Sequence, residues 1–359
     1  MKLITDVVQC ICEAADRETL LNLSLVTKEF RYASIPAVFR EVQIIADWET
    51  VGPQVNFILE NCDEVCKFVR QFRFIACEKP LRNFARKDSV NMENSPEFPS
   101  AICVLISKMT QLKRLGFDVP DARASSFEMA FAAGAVSLAT VTVLRLSPYA
   151  EFLVKHCPAV TDVETCRDTT VTGMEPEPDT SAALLLINAV RDRPIVRFGL
   201  VRRYWRTSIT NAIVNTIPFI RDLVMVAAEY PGGFDTHLLI FSRLTKLERL
   251  WLGHNPCPGI SFHVTRLSHL HLEKPVKSKV GKGRRGPITM LSARACPKLN
   301  EMWVLSGSKY VHVKVKRKEN GEIKLVDKCF WKVGEDVNGY PKMGLRRRVP
   351  ANVVATNET

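Results

Sequence analysis

The side chains with the clearest chemical potential are His254, Cys257, His263, His269 and His271, five donors within eighteen residues. Imidazole and thiolate groups are the usual ligands of tetrahedral zinc. The spacing argues against that use, because no C-x-x-C or H-x-x-x-H pair occurs. His269 and His271 also alternate with Leu270 and Leu272, as neighbours on a strand do. No metal site is expected. Gly281-Lys282-Gly283-Arg284-Arg285-Gly286 has the glycines and lysine of a phosphate loop but lacks the G-x-x-x-x-G-K-[ST] spacing. It reads as a basic loop. Cys62 and Cys66 lie one helical turn apart and Cys10 and Cys12 lie on a helix, both pairs in the role of small buried hydrophobes. No G-x-S-x-G elbow, dinucleotide fingerprint or kinase set appears, and no carboxylate pair has acid/base spacing. No catalytic residue and no cofactor are expected.

The remaining polar chemistry is cationic. Arg202-Arg203-Tyr204-Trp205-Arg206 mixes guanidinium and aromatic groups in the manner of a phosphate or nucleic-acid site. A second cluster is Lys277, Lys279, Lys282, Arg284 and Arg285. A third runs from Lys314 and Lys316 to Lys318 and resumes at Arg346 to Arg348. The net charge of +12 is confined to the end of the chain, since Met1 to Glu273 holds 30 basic and 31 acidic residues. One localised surface for an acidic or phosphorylated ligand follows, with Lys277, Lys279, Lys282, Arg284, Arg285, Lys314 and Lys316 as its candidates. General nucleic-acid coating does not.

The elements that would position these residues follow from apolar spacing. Residues 5 to 40 read as three short helices, capped by Thr5 or Asp6, by Asp16 and by Thr27. The third is expected to end at Pro36. Their apolar side chains outnumber what such short helices can bury among themselves, so part of that surface should meet a neighbour. Beyond Phe39, apolar residues recur at positions 0, 3 and 5 of a template, as in the leucine-rich pattern L-x-x-L-x-L-x-x-N/C. The best copies are Leu247 to Asn255 and Val69 to Cys77, which keep the terminal Asn or Cys. Others start at Leu112, Val141, Val160, Ile195, Ile220, Leu267 and Leu299. Phe131 to Leu146 reads as a buried helix leading into a strand. Glu78 to Ser100, Cys166 to Ser181 and Lys274 to Pro287 read as loop excursions. From Tyr310 the period is 2, and Asn320-Gly321 signals a two-residue hairpin turn that would let the hairpin cap the last repeat. The tail beyond Gly344 is expected to lack order.

Asp6 interrupts the first apolar run before a secretion signal forms, and the eleven cysteines follow no framework. Free thiols in the cytoplasm or nucleus, with no membrane span, are expected.

Ile11-Cys-Glu, Leu20-Leu-Asn-Leu-Ser-Leu-Val-Thr-Lys-Glu-Phe-Arg31 and Ile35-Pro-Ala-Val-Phe-Arg-Glu-Val-Gln-Ile44 resemble the F-box of fungal-type F-box proteins with leucine-rich repeats. The resemblance implies that three helices dock on the Skp-family adaptor of an SCF ubiquitin ligase, and through it a cullin, while the repeats hold a protein substrate. It assigns the helix fold and adaptor interface to Val7, Ile11, Leu20, Leu23, Leu25, Val26, Phe30, Ile35 and Phe39. The chain departs from the family at Leu3-Ile4, where Leu-Pro is usual. The expected architecture is α/β: an F-box at 1–45, an irregular leucine-rich solenoid at 46–309, a hairpin cap at 310–344 and a tail at 345–359. Two other readings stay open, a leucine-rich scaffold without a ligase role and a nucleic-acid-binding module using the basic end.

Overall fold

A computed structural model describes residues 2–48, 51–77, 98–165, 180–229, 234–254, 292–306, 309–332, 334–335 and 341–342. The Leu267 copy of the template, the second basic cluster and the tail lie outside these residues. So does most of each proposed loop excursion, although Phe98 to Ser100 and Thr180 to Ser181 already belong to helices. The chain divides into two compact units, Met1–Thr161 and Asp162–Thr359.

The first unit opens with α1 (Lys2–Ala14), α2 (Arg17–Leu23) and α3 (Lys28–Val38). Two of the expected caps are in place: the Asp16 carboxylate accepts from Thr19 N–H at 2.8 Å and the Thr27 hydroxyl from Phe30 N–H at 3.2 Å. The first cap is not, because α1 starts at Lys2, ahead of Thr5 and Asp6. Nor does α3 stop at Pro36. The proline sits in the last turn and costs the helix only the bond to the Tyr32 carbonyl, while Phe39 N–H still reaches Ile35 O at 3.0 Å.

Strand and helix then alternate: β1 (Glu41–Asp47), α4 (Val51–Asn61), α5 (Asp63–Cys66), β2 (Gln71–Cys77), α6 (Phe98–Ser107), β3 (Arg114–Asp118), α7 (Asp121–Ala133), β4 (Val143–Leu146) and α8 (Leu153–His156). β1 to β4 pair in chain order and in parallel. Each crossover carries a helix, as parallel neighbours require. The expected helix into Leu146 is shorter than its apolar run, because α7 ends at Gly134 and Ala135 adopts φ 46. Residues 134–142 are the turn between α7 and β4. Phe74, Phe98, Phe117, Phe127, Phe131 and Phe152 are all buried and meet edge to face or tilted, for example Phe117 and Phe127 at 5.2 Å and 85°. Each such ring withdraws roughly 1.5–3 kcal/mol of apolar surface from water.

The second unit runs β5 (Asp162–Thr165), α9 (Thr180–Ala189), β6 (Arg197–Tyr204), α10 (Thr207–Thr216), β7 (Asp222–Glu229), α11 (Phe234–Phe241), β8 (Arg249–His254), β9 (Glu301–Ser306), β10 (Lys309–Arg317) and β11 (Ile323–Lys332). Short strands β12 (Gly334–Glu335) and β13 (Pro341–Lys342) pair separately. β5 to β9 are parallel in chain order; β10 is antiparallel to both β9 and β11.

Positions 0, 3 and 5 of the template face the core. Val69, Phe72 and Phe74, Leu112, Leu115 and Phe117, Val141, Leu144 and Leu146, and Leu247, Leu250 and Leu252 are all buried. A backbone motif recurs with them. The carbonyl at position 1 of one copy accepts from the N–H groups at positions 1 and 2 of the next: Arg40 from Arg70 and Gln71, Arg70 from Lys113 and Arg114, Arg221 from Glu248 and Arg249. The pattern starts one copy earlier than the sequence suggests, at Phe39, Val42 and Ile44 in β1. The terminal residues of the best copies, Asn255 and the Cys77 side chain, lie outside the described residues. Hydroxyls fill a comparable role elsewhere. Thr165 Oγ1 accepts from Val201 N–H at 2.7 Å, and Ser147 Oγ from Val119 N–H at 3.4 Å.

The hairpin is present but its loop has three residues, not two. Gly321 N–H reaches Lys318 O and Lys318 N–H reaches Glu322 O, both at 2.9 Å, with Gly321 at φ 78. That is a three-residue loop closed by a left-handed glycine, and the side chain of Asn320 accepts from Glu322 N–H. Arg317 anchors the hairpin base by donating to the carbonyls of Ala293, Cys296 and Leu299 at 2.7–2.9 Å.

Candidate protein-interaction sites

The three N-terminal helices hold an apolar surface that their own packing leaves open. Cys12, Leu20 and Ser34 are buried between them. Val7 and Ile11 are one turn apart on α1 and are 53% and 45% exposed. Leu25 and Val26, in the α2–α3 turn, are 76% and 65% exposed. This turn is held on both sides. Leu25 and Val26 N–H groups bond the carbonyls of Asn22 and Leu23, Ser24 Oγ donates to Leu21 O, and Arg31 Nε donates to Ser24 O at 3.1 Å.

Of the nine residues assigned to adaptor contact, Val7, Ile11, Leu25 and Val26 are exposed. Leu23, Phe30, Ile35 and Phe39 are half-buried, and Leu20 is a core residue of the helix cluster. Phe39 occupies position 0 of the β1 copy, so it joins the helices to the repeats. Two apolar residues of this surface escaped sequence reading, Leu21 and Tyr32, both well exposed. A helical wheel finds Leu21, because it points about 100° away from buried Leu20.

The basic clusters fare unevenly. Lys277, Lys279, Lys282, Arg284, Arg285 and Arg346 to Arg348 lie outside the described residues, as do the side chains of Arg203 and Tyr204. The expected mixed patch at 202–206 is corrected by burial: Arg202 is 5% exposed and Trp205 is fully buried. Trp205 Nε1–H donates to Thr210 Oγ1 at 2.9 Å, and that hydroxyl bonds His237 Nδ1 at 2.7 Å. This is a core network. Lys314 is half-buried and Lys316 exposed, both on β10. Among the described residues, no group of three or more His, Cys, Asp or Glu side chains could hold a metal ion. The His254 to His271 side chains fall outside them. No described helix is long and apolar enough to cross a membrane.

Positions 2 and 4 of the template, opposite the core-facing residues, build a second surface in the second unit. Position 2, continued onto β10, places Asp162, Arg197, Asp222, Arg249, Glu301 and Lys314 side by side, alternating in sign across six strands. Opposite charges on neighbouring strands support the register. Arg249 makes a two-pronged contact with Asp222, at 2.5 Å on both carboxylate oxygens, which raises the Arg249 pKa. Arg197 Nη2 donates to Glu164 Oε2 at 3.2 Å.

Position 4, likewise continued, places Glu164, Gly199, Val224, Trp251, Trp303 and His312 in line. Trp251 and Trp303 stack at 3.8 Å and 7°, and Trp303 and His312 at 4.3 Å and 11°. The Arg197 guanidinium lies over the Trp251 ring, 5.9 Å from its centroid. Gly199 is required here because an added Cβ would lie 2.7 Å from Glu164 Cγ and 3.1 Å from Val224 Cβ.

A comparison with protein-family profiles and with characterised proteins finds no match to this chain.

Proposed function

We propose that this chain is the substrate-recruiting subunit of an SCF-type ubiquitin ligase. In this reading α1 to α3 form an F-box that docks on a Skp-family adaptor, and the adaptor links the chain to a cullin. The alternating strands and helices form an irregular leucine-rich solenoid that holds a protein substrate. The observation carrying the reading is Leu25-Val26: two large apolar residues, mostly exposed, on a turn pinned by its own hydrogen bonds. Apolar anchors on a rigid support are what a protein interface uses for most of its energy. Exposed Val7, Ile11, Leu21 and Tyr32 extend the same surface.

The departure at Leu3-Ile4 is compatible with docking. Ile4 lies in the first turn of α1, where a proline would remove no helix hydrogen bond and its absence breaks none.

The test is capture of a purified Skp-family adaptor by the full chain. Leu25→Asp with Val26→Asp should abolish capture while leaving the melting temperature nearly unchanged, because exposed residues contribute within about 0.5 kcal/mol to folding. No capture by the wild-type chain, or full capture by the variant, refutes the role. Capture of the adaptor with no cullin in the assembled complex would favour a scaffold without ligase activity.

A further inference from the structure

The surplus positive charge of this protein belongs to its second unit. Met1–Thr161 holds 18 Lys and Arg against 19 Asp and Glu, which leaves 32 against 19 for Asp162–Thr359. Part of that excess is gathered on the hairpin. Lys316 and Lys324 are direct partners across β10 and β11, and both are exposed. Like charges placed opposite one another on adjacent strands oppose pairing. Lys314 stands on the same face, between Lys316 and His312 along β10.

Among the described residues, the His312 ring continues the stack of Trp251 and Trp303. The rings are stacked from strand to strand, which covers their faces, and Trp251, Trp303 and His312 are all half-buried. Ring edges carry the positive part of the aromatic quadrupole and accept the face of another ring. The surface from β8 to β11 therefore joins ring edges to the facing pair Lys316 and Lys324, with the Glu301 carboxylate beside Lys314 and 3.7 Å from His312 at the border between them. From Trp251 to Lys324 it spans about 14 Å across the sheet and about 13 Å along the strands, a diagonal of about 20 Å, the length of about six residues of extended chain.

We propose that this face binds a short extended segment of a partner protein in which Asp or Glu residues lie a few positions to one side of an aromatic one. The carboxylates pair with Lys316 and Lys324, relieving their repulsion, and the aromatic ring packs on the outer edges of Trp251 and Trp303. The inference rests on the substrate-recruiting reading and supplies its substrate class.

Panning random peptides of about eight residues, displayed on phage, against the full chain in physiological salt tests it. Enriched peptides should combine Asp or Glu with an aromatic residue. Lys316→Glu with Lys324→Glu should weaken the best synthetic peptide about tenfold or more, as the loss of two charge pairs plus new repulsion implies. Replacing the peptide's aromatic residue by Ala should weaken it as well. Enrichment of basic or purely apolar peptides, or binding unchanged by the charge reversal, overturns the proposal. Binding only when the peptide's Asp residues become phosphoserine overturns the carboxylate as ligand. Adaptor capture by the charge-reversed chain separates the two claims: retained capture with unchanged peptide binding refutes this site alone, whereas failed capture by wild type refutes the recruiting role.

Discussion

Leu20 and Leu21 stand side by side in α2, yet Leu20 is 4% exposed and Leu21 is 48% exposed. The helical step of about 100° sends them to different faces, and only the presence of α1 and α3 on one side decides which is buried. The same logic divides the residues that resemblance assigns to adaptor contact into a core member and exposed anchors. Cysteines are sorted equally sharply. Cys103 and Cys296 are buried, and burial pushes both thiols up to about 12. Cys10 is exposed. At neutral pH the two buried thiols are almost wholly protonated, and thiolate is the reactive form. Iodoacetamide followed by peptide mass spectrometry should therefore modify Cys10 well before Cys103 or Cys296. Equal labelling in native buffer would show that the buried sites open readily.

At the scale of elements, the template was legible because the core needs it. A strand that packs one face must place apolar residues two apart, and the turn before it must supply another. Seven of the nine sequence copies fall on described strands with all three positions buried, an eighth has Leu299 and Met302 buried, and the ninth, at Leu267, lies outside the described residues. The first copy was hidden because its position 0, Phe39, also caps the end of α3. What spacing could not show was the opposite face. Gly199 illustrates this, since its requirement arises from Glu164 and Val224 on the two neighbouring strands. Gly199→Ala should cost about 1–3 kcal/mol in chemical denaturation, as overpacking in a filled site does. A variant as stable as wild type would mean that Glu164 swings clear. The hairpin loop teaches the same lesson locally: Asn320-Gly321 announced a reversal, but the register of β10 against β11 chose the three-residue form.

For the whole molecule, charge placement argues against the nucleic-acid reading. The mixed basic and aromatic run at 202–206 loses Trp205 and Arg202 to the core. The position-2 row of the second unit alternates in sign and is partly ion-paired. Affinity for random-sequence DNA in physiological salt should thus be no tighter than the non-specific range of about 10⁻⁴–10⁻⁶ M. Fluorescence anisotropy across a salt series measures it, and sub-micromolar binding with a steep salt slope would reinstate a nucleic-acid role.

Local rules in the chain were enough to specify the caps at Asp16 and Thr27, the alternation of helix and strand, the core-facing positions and the apolar excess at the N-terminus. These depend on interactions between residues a few positions apart, which spacing records directly. The Trp251–Trp303–His312 stack, the alternating charge row and the burial of Trp205 join residues tens of positions apart. Their placement comes from strand pairing, because cross-strand register turns a shared template position into a physical neighbour. Spacing predicts which residues point away from the core; pairing decides whom they meet.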